Sequence, residues 1–205
     1  PRAPVMTVFG PLPHRAMLEA AMLDTVRAWL PTYLREMERL TGRTAGSLPD
    51  ARSYGAVSES DAARWTDGQV PAIVVLSPGT DGEPVPFGGG PVGAAWSIGV
   101  GAVVSASTPA ASRDLAGAYG AAIRGLISQH GSLGGVASGA DWLGERYDDI
   151  DASKDRTLAA CAVEFRVHVD IAVDTSAGPA APADDPPDWP LAETVTVTVN
   201  PSEDP

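Results

Sequence analysis

Residues 156–173 constrain the fold more than any other stretch. Here Val163, Phe165, Val167, Val169, Ile171 and Val173 alternate with Glu164, Arg166, His168 and Asp170. Successive side chains of a strand point to opposite sides, so this period of two makes one apolar and one polar face. Such a strand belongs to a sheet with one side on a core and the other toward water, which is mainly antiparallel. The rest of the chain must therefore supply partner strands and a cover for the apolar face.

Further strands are legible upstream. Residues 71–77 (PAIVVLS) form a short apolar run bounded by Pro and Gly, which predicts a buried strand. Residues 95–107 alternate, with Trp96, Ile98, Val100, Ala102 and Val104 on one side. Gly99 and Gly101 fall on the other side, where they invite close approach by another backbone. Residues 140–150, with Trp142, Leu143 and Tyr147, predict a short strand or a turn.

Two helical segments supply the cover. Over residues 14–40, Leu18, Met22, Val26, Trp29, Tyr33, Met37 and Leu40 recur at steps of three and four, the spacing of a core-facing stripe. Pro31 lacks a backbone donor and is expected to kink that helix or split it. Thr108-Pro109 supplies a capping hydroxyl and a first-turn proline. Leu115, Tyr119, Ile123, Leu126 and Ile127 then mark a buried face running to about Gln129, with Gly131 ending the helix. A short helix at residues 59–65 is a further possibility in an otherwise ambiguous stretch.

These elements predict an α+β domain, a mainly antiparallel sheet of about four strands with two helices packed on one face. It spans residues 14–174 between a proline-broken arm, residues 1–13, and a C-terminal extension, residues 175–205. That extension opens on the stiff SAGPAAPADDPPDWP linker and ends in ETVTVTV, residues 193–199. An isolated strand is not stable alone, so its expected fate is addition to a sheet edge, its own or a neighbour's. Residues 78–93, rich in Gly and Pro, predict a long loop of the functional or disordered kind.

Charge narrows the partners. The chain carries 26 acidic residues against 14 basic ones, a net −12. Affinity for a phosphate backbone comes from Lys and Arg displacing counterions, so this balance argues against gripping nucleic acid. It is compatible with DNA passing an acidic wall without sticking. The apolar runs fall far short of the ~20 residues of a membrane helix. With no secretory signal at its start, the sequence is expected to act in the cytoplasm or in a particle assembled there.

Chemical motifs are sparse. Gly88, Gly90 and Gly93 match GxGxxG in letters, yet Pro91 interrupts them and a strand follows where a dinucleotide site needs a helix. Asp149, Asp151, Ser153 and Asp155 have the spacing that opens a calcium loop, but Lys154 and Ala160 stand where Gly and Glu belong. An acidic turn is the better reading. His14, His130 and His168 are dispersed, and no serine sits in a GxSxG elbow. Cys161, the single cysteine, shares the inward parity of Val163, which predicts a small buried hydrophobe and excludes an internal disulfide. The sequence thus calls for no catalytic residue, metal or cofactor.

The order helix, strand, long loop, strand, helix, long strand resembles the tail terminator proteins of long-tailed bacteriophages of actinobacterial hosts. The segments that carry the likeness are LEAAMLDTVRAWLPTYL, PAIVVLSPG, WSIGVGAVVSASTPAASRDLAGAYGAAIRGLI and DRTLAACAVEFRVHV, together with the acidic, Arg-over-Lys composition. The resemblance implies a virion protein assembled in the bacterial host cytoplasm as a ring of itself, a hexamer, at the head-proximal end of the tail tube. There it would end tube polymerisation, meet the major tail protein and a neck or head-completion protein, and let genomic DNA pass through its lumen. The subunit-interface candidates are Gly88, Gly90 and Gly93 in the long loop, Glu164, Arg166 and His168 on the polar strand face, and Val195, Val197 and Val199 in the terminal strand. Two alternatives remain open: another neck or tail-tube subunit, and a small hydrolase or ligand-binding module using residues 78–93 as a lid.

Overall fold

The computed structural model describes residues 13–55, 68–86, 91–150 and 157–174. Residues 1–12 of the N-terminal arm, the whole C-terminal arm, the 59–65 helix and the glycines Gly88 and Gly90 lie outside the described residues. Within them the chain is α+β: helices α1 (Arg15–Thr41) and α2 (Pro109–His130), and strands β1 (Ser53–Gly55), β2 (Ala72–Thr80), β3 (Val85–Pro86), β4 (Pro91–Ser105), β5 (Gly139–Ile150) and β6 (Leu158–Asp174). The strands form one six-stranded mixed sheet in the order β1-β2-β4-β6-β5, with β3 pairing off this path onto β4. Only β1–β2 is parallel; the other pairings are antiparallel.

The long strands fall where alternation predicts them. Trp96, Ile98, Val100, Ala102 and Val104 stand opposite Val167, Phe165, Val163, Cys161 and Ala159 in β6, and all ten are buried. Ile73 and Val75 extend the same layer from β2. The two helices cover this face. α1 packs on α2 and toward β1 and β2, while α2 lies over β4, β6 and β5. Cys161 is buried as expected, and burial pushes its thiol up to about 12, which leaves it unreactive at neutral pH.

Four expectations are corrected. First, the buried row of α1 is Leu18, Met22, Val26, Leu30, Leu34 and Glu38, and it does not switch to Trp29 and Leu40, which are exposed, or to Tyr33 and Met37, which are half-buried. Buried positions follow the four-residue ridge, which is inclined to the helix axis. Second, Pro31 does not split α1, which stays continuous through it. Leu30 and Leu34, fully buried on either side, hold the turn that lacks one hydrogen bond. Third, Gly93 is not in a loop. β2 runs on to Thr80, β3 follows, and Gly93 pairs with Val85 inside β4. Fourth, the inward phase of β6 breaks after Val169: Ile171 is exposed and Ala172 buried. The register shift opposite Val92 and Ala94 places two extra residues in β6, and this bulge takes Ile171 and Ala172 out of the regular alternation before Val173 pairs with Val92.

The helix ends show local chemistry at work. Thr108 accepts a hydrogen bond from the Ala111 amide at 3.2 Å, with Pro109 at the first turn. Gly42 closes α1 at φ 66°, a left-handed geometry that favours glycine. Gly131 ends α2 for another reason. Its φ of −62° suits any residue, but a Cβ there would lie 2.8 Å from the Ala140 backbone nitrogen. Gly131→Ala is therefore expected to destabilise the domain by about 1–3 kcal/mol, the usual effect of overpacking against backbone. Urea unfolding checks it, and an unchanged midpoint would show that the α2–β5 junction yields freely.

One charged group is buried in the helical layer. The Glu38 carboxylate accepts hydrogen bonds from the Leu48 amide at 2.7 Å and the Gly46 amide at 3.0 Å. Arg35 pairs with it at 2.8 Å and reaches on to the Leu48 carbonyl and Asp50. The loop after α1 is thereby folded onto the helix, with Leu48 fully buried beneath it. Tyr119 of α2 donates to the Pro49 carbonyl and ties down the same loop.

Candidate assembly surfaces

The side of the sheet away from the helices carries three of the sequence candidates together. Glu164, Arg166 and His168 project from β6 in successive rows. Each has a partner of opposite or complementary charge on a neighbouring segment: Glu164 with Arg146 of β5 at 2.8 Å, Arg166 with Asp81 at 2.6 Å, and His168 with Asp141 of β5 at 2.8 Å. The hydrogen bond that Arg166 donates to the Asp81 carboxylate raises the guanidinium above its usual value and holds it firmly protonated. All three β6 side chains remain about 40% exposed, so the pairs add little to stability. Their effect is to make this a polar face with fixed side-chain positions.

Beside them the same face is low. Gly99 and Gly101 are partly exposed, and an added Cβ at Gly101 would meet the Cys161 carbonyl oxygen at 3.3 Å. The close approach inferred from these glycines is thus already used inside the sheet, between β4 and β6.

The second surface is the outer edge of β5. This strand ends the sheet, so one row of its backbone donors and acceptors has no strand partner among the described residues. A register shift between Trp142 and Gly144 leaves Leu143 outside the ladder. Trp142, Leu143 and Tyr147 are each nearly half exposed (48%, 46% and 47%). Three contacts to α2 pin the strand. The Arg124 guanidinium sits 5.0 Å above the Trp142 ring and pairs with Glu145 at 2.9 Å. Arg113 grips Asp149 through two guanidinium nitrogens. Tyr147 reaches Gly120, where a Cβ would stand 2.7 Å from its hydroxyl. Burial, with Glu145 nearby, pushes that hydroxyl up to about 12, so it stays protonated.

The opposite edge differs. β1 is three residues long, and Arg27 of α1 lies over the Tyr54 ring at 5.2 Å. A third exposed feature is aromatic: Trp29 stacks on His130 at 4.3 Å, and Tyr33 meets the same imidazole edge-on at 6.0 Å.

A cleft of about 340 Å³ separates α2 from β5 and β6, lined by Arg113, Ala116, Gly117, Tyr147, Asp149 and Ala160. Of its three charged lining residues, Arg113 and Asp149 are spent on each other, and Asp148 stands beside them. Among the described residues no group of three or more His, Cys, Asp or Glu is placed to hold a metal ion, and no helix is long and apolar enough to cross a membrane.

Gly88, Gly90, Val195, Val197 and Val199 lie outside the described residues, and Gly93 is buried in β4, two residues from Ala95, the partner of His168. The β5 edge was missed because DWLGERYDDI breaks its own alternation. Gly144, a glycine inside a strand pattern, is the signal that marks the irregularity.

No family model matches the chain, and no curated protein matches it. Among solved structures, a chain from the virion of a native gene transfer agent particle is similar, with a TM-score of 0.39 and 17% identity over 73% of this chain and 98% of that one. A likeness this distant assigns no role to the chain.

Proposed function

We propose that the chain is a non-enzymatic structural subunit of a virion, forming a ring at the head-proximal end of a phage tail tube. The open β5 edge carries this reading. A long unpaired strand edge with three large, half-exposed apolar side chains is what a protein that works by docking presents. The cleft under α2, by contrast, brings no nucleophile to a base. The described fold keeps the succession of helix, strand, strand, helix and long strand on which the sequence resemblance rests, with β1, β3 and β5 added to it.

A ring needs two different surfaces on each subunit, so that one meets the other around a closed circle. The β5 edge and the paired-charge face of β6 lie on adjoining sides of one sheet and supply two such surfaces. The hexamer, the contacts with the major tail protein and the neck, and the passage of DNA through an acidic lumen follow from the same reading.

Removing the gene from its genome is the test. Overlong tail tubes and heads without tails are expected by electron microscopy; tails of normal length joined to heads would overturn the terminator role. The neighbouring genes should encode a neck protein on one side and the major tail protein on the other.

A further inference from the structure

We propose that residues 193–199 of a second copy of this chain add to the β5 edge as an antiparallel strand. The inference deepens the self-association proposed above by naming the surface and the segment that carry it.

Length is the first argument. Beyond its irregularity at Leu143, β5 keeps an unbroken register with β6 from Gly144, opposite Glu164, to Ile150, opposite Leu158. That is a seven-residue ladder whose outer side has no strand partner among the described residues. The segment ETVTVTV is also seven residues long, β-branched at six of them, and needs a partner to be stable.

Side-chain chemistry is the second. On the helix side of this ladder, Tyr147 is half exposed beside the cleft that Ala116 and Gly117 line. A strand added there would bring Val195, Val197 and Val199 over Tyr147 and the mouth of the cleft. Thr194, Thr196 and Thr198 would fall on the side of Arg146 and Asp148. The β5 edge is guarded by charge at Glu145, Arg146, Asp148 and Asp149, which discourages indiscriminate pairing. An incoming strand whose one charge is Glu193, at its end, meets no like charge along the rest of the ladder.

Direction favours a second copy over the same chain. β6 leaves the sheet at Asp174, and β5 runs opposite to β6. In the register that sets Thr196 beside Arg146, residue 193 of the same chain would have to start opposite Asp149, level with Ala159 and fifteen residues back from Asp174, or ~50 Å at strand rise. The eighteen residues 175–192 span ~56 Å in the polyproline II geometry that their prolines favour. Turning back toward β5 takes about four of them, which leaves ~43 Å for the return, so one chain reaches the antiparallel position only with its linker stretched beyond that geometry. A parallel return has slack, whereas the alternating apolar–polar pattern suits an antiparallel, half-solvated strand. From a neighbouring protomer the antiparallel approach is unrestricted.

The test uses full-length chains carrying one new cysteine each, Arg146→Cys in one and Thr196→Cys in the other, distinguished by a tag. Cys161 is buried and stays silent. Mixing and mild oxidation is expected to give the mixed disulfide. Cross-linking only when both cysteines occupy one chain would overturn the exchange in favour of a return within the protomer. Deleting residues 193–205 should weaken self-association at least tenfold by analytical ultracentrifugation, with Tm unchanged. Undiminished association after the deletion would sink strand addition and leave the ring intact. A full-length chain that stays monomeric at every concentration would sink the exchange and weaken the ring with it.

Discussion

Phe165→Ala is expected to destabilise the domain by about 3–5 kcal/mol, the range for removing a large aromatic side chain from a core. Phe165 is fully buried at the centre of β6, flanked by Ile98 of β4 and Trp142 of β5. It therefore sits in the layer that both helices cover, and neighbouring side chains held by three strands can collapse only partly into the space. A domain of this kind has about 5–15 kcal/mol in total, so the variant approaches the limit of folding at ambient temperature. Urea denaturation of wild type and variant measures it. A loss below about 1 kcal/mol would mean that the helical layer is far looser than the packing described here.

Glu38→Ala should produce the second large effect. It removes the acceptor of the Leu48 and Gly46 amides and one partner of Arg35, so the loop that carries the fully buried Leu48 loses the chief of its anchors. A buried donor without a partner is costly, and a fall in Tm on the order of 5 °C is expected. The pH dependence follows from the same contacts. The Leu48 amide above all, then Gly46 and Arg35, hold the Glu38 carboxyl below its usual value. A depressed folded value means that the stabilisation is complete above the unfolded glutamate value of about 4.3 and disappears as pH falls through the folded one. Thermal melts of the wild type should thus lose Tm steeply below pH ~4, and Glu38→Gln should flatten that limb. A wild type and variant with parallel acid limbs would show that Glu38 is not the responsible group.

What could be read from the sequence was whatever repeats with a short period. β4, β6 and α2 came out with their inward residues, because alternation and three-four spacing directly record which side meets the core. The errors have one physical origin, in that a periodic pattern says nothing of where its phase changes. α1 buries Leu30 and Leu34 where Trp29 and Tyr33 also fit a helical stripe, and only contact with α2 and the sheet selects between the two rows. In β6 the phase breaks at Ile171 through a register shift that its own alternating residues do not announce. The polar candidates Glu164, Arg166 and His168 were found because one strand lines them up. Their partners Arg146, Asp81 and Asp141 come from segments distant in sequence, which pairing alone brings together.

The matching of those three rows has a colloidal consequence. A chain with net charge −12 repels its own copies at long range, by an amount that added salt reduces. On the helix-free face each anion in these rows already has a cation or an imidazole against it, so the local field there is close to cancelled. Two molecules drifting together meet the least resistance when they turn these sides inward, and dilute buffer would sharpen that orientational preference rather than abolish it.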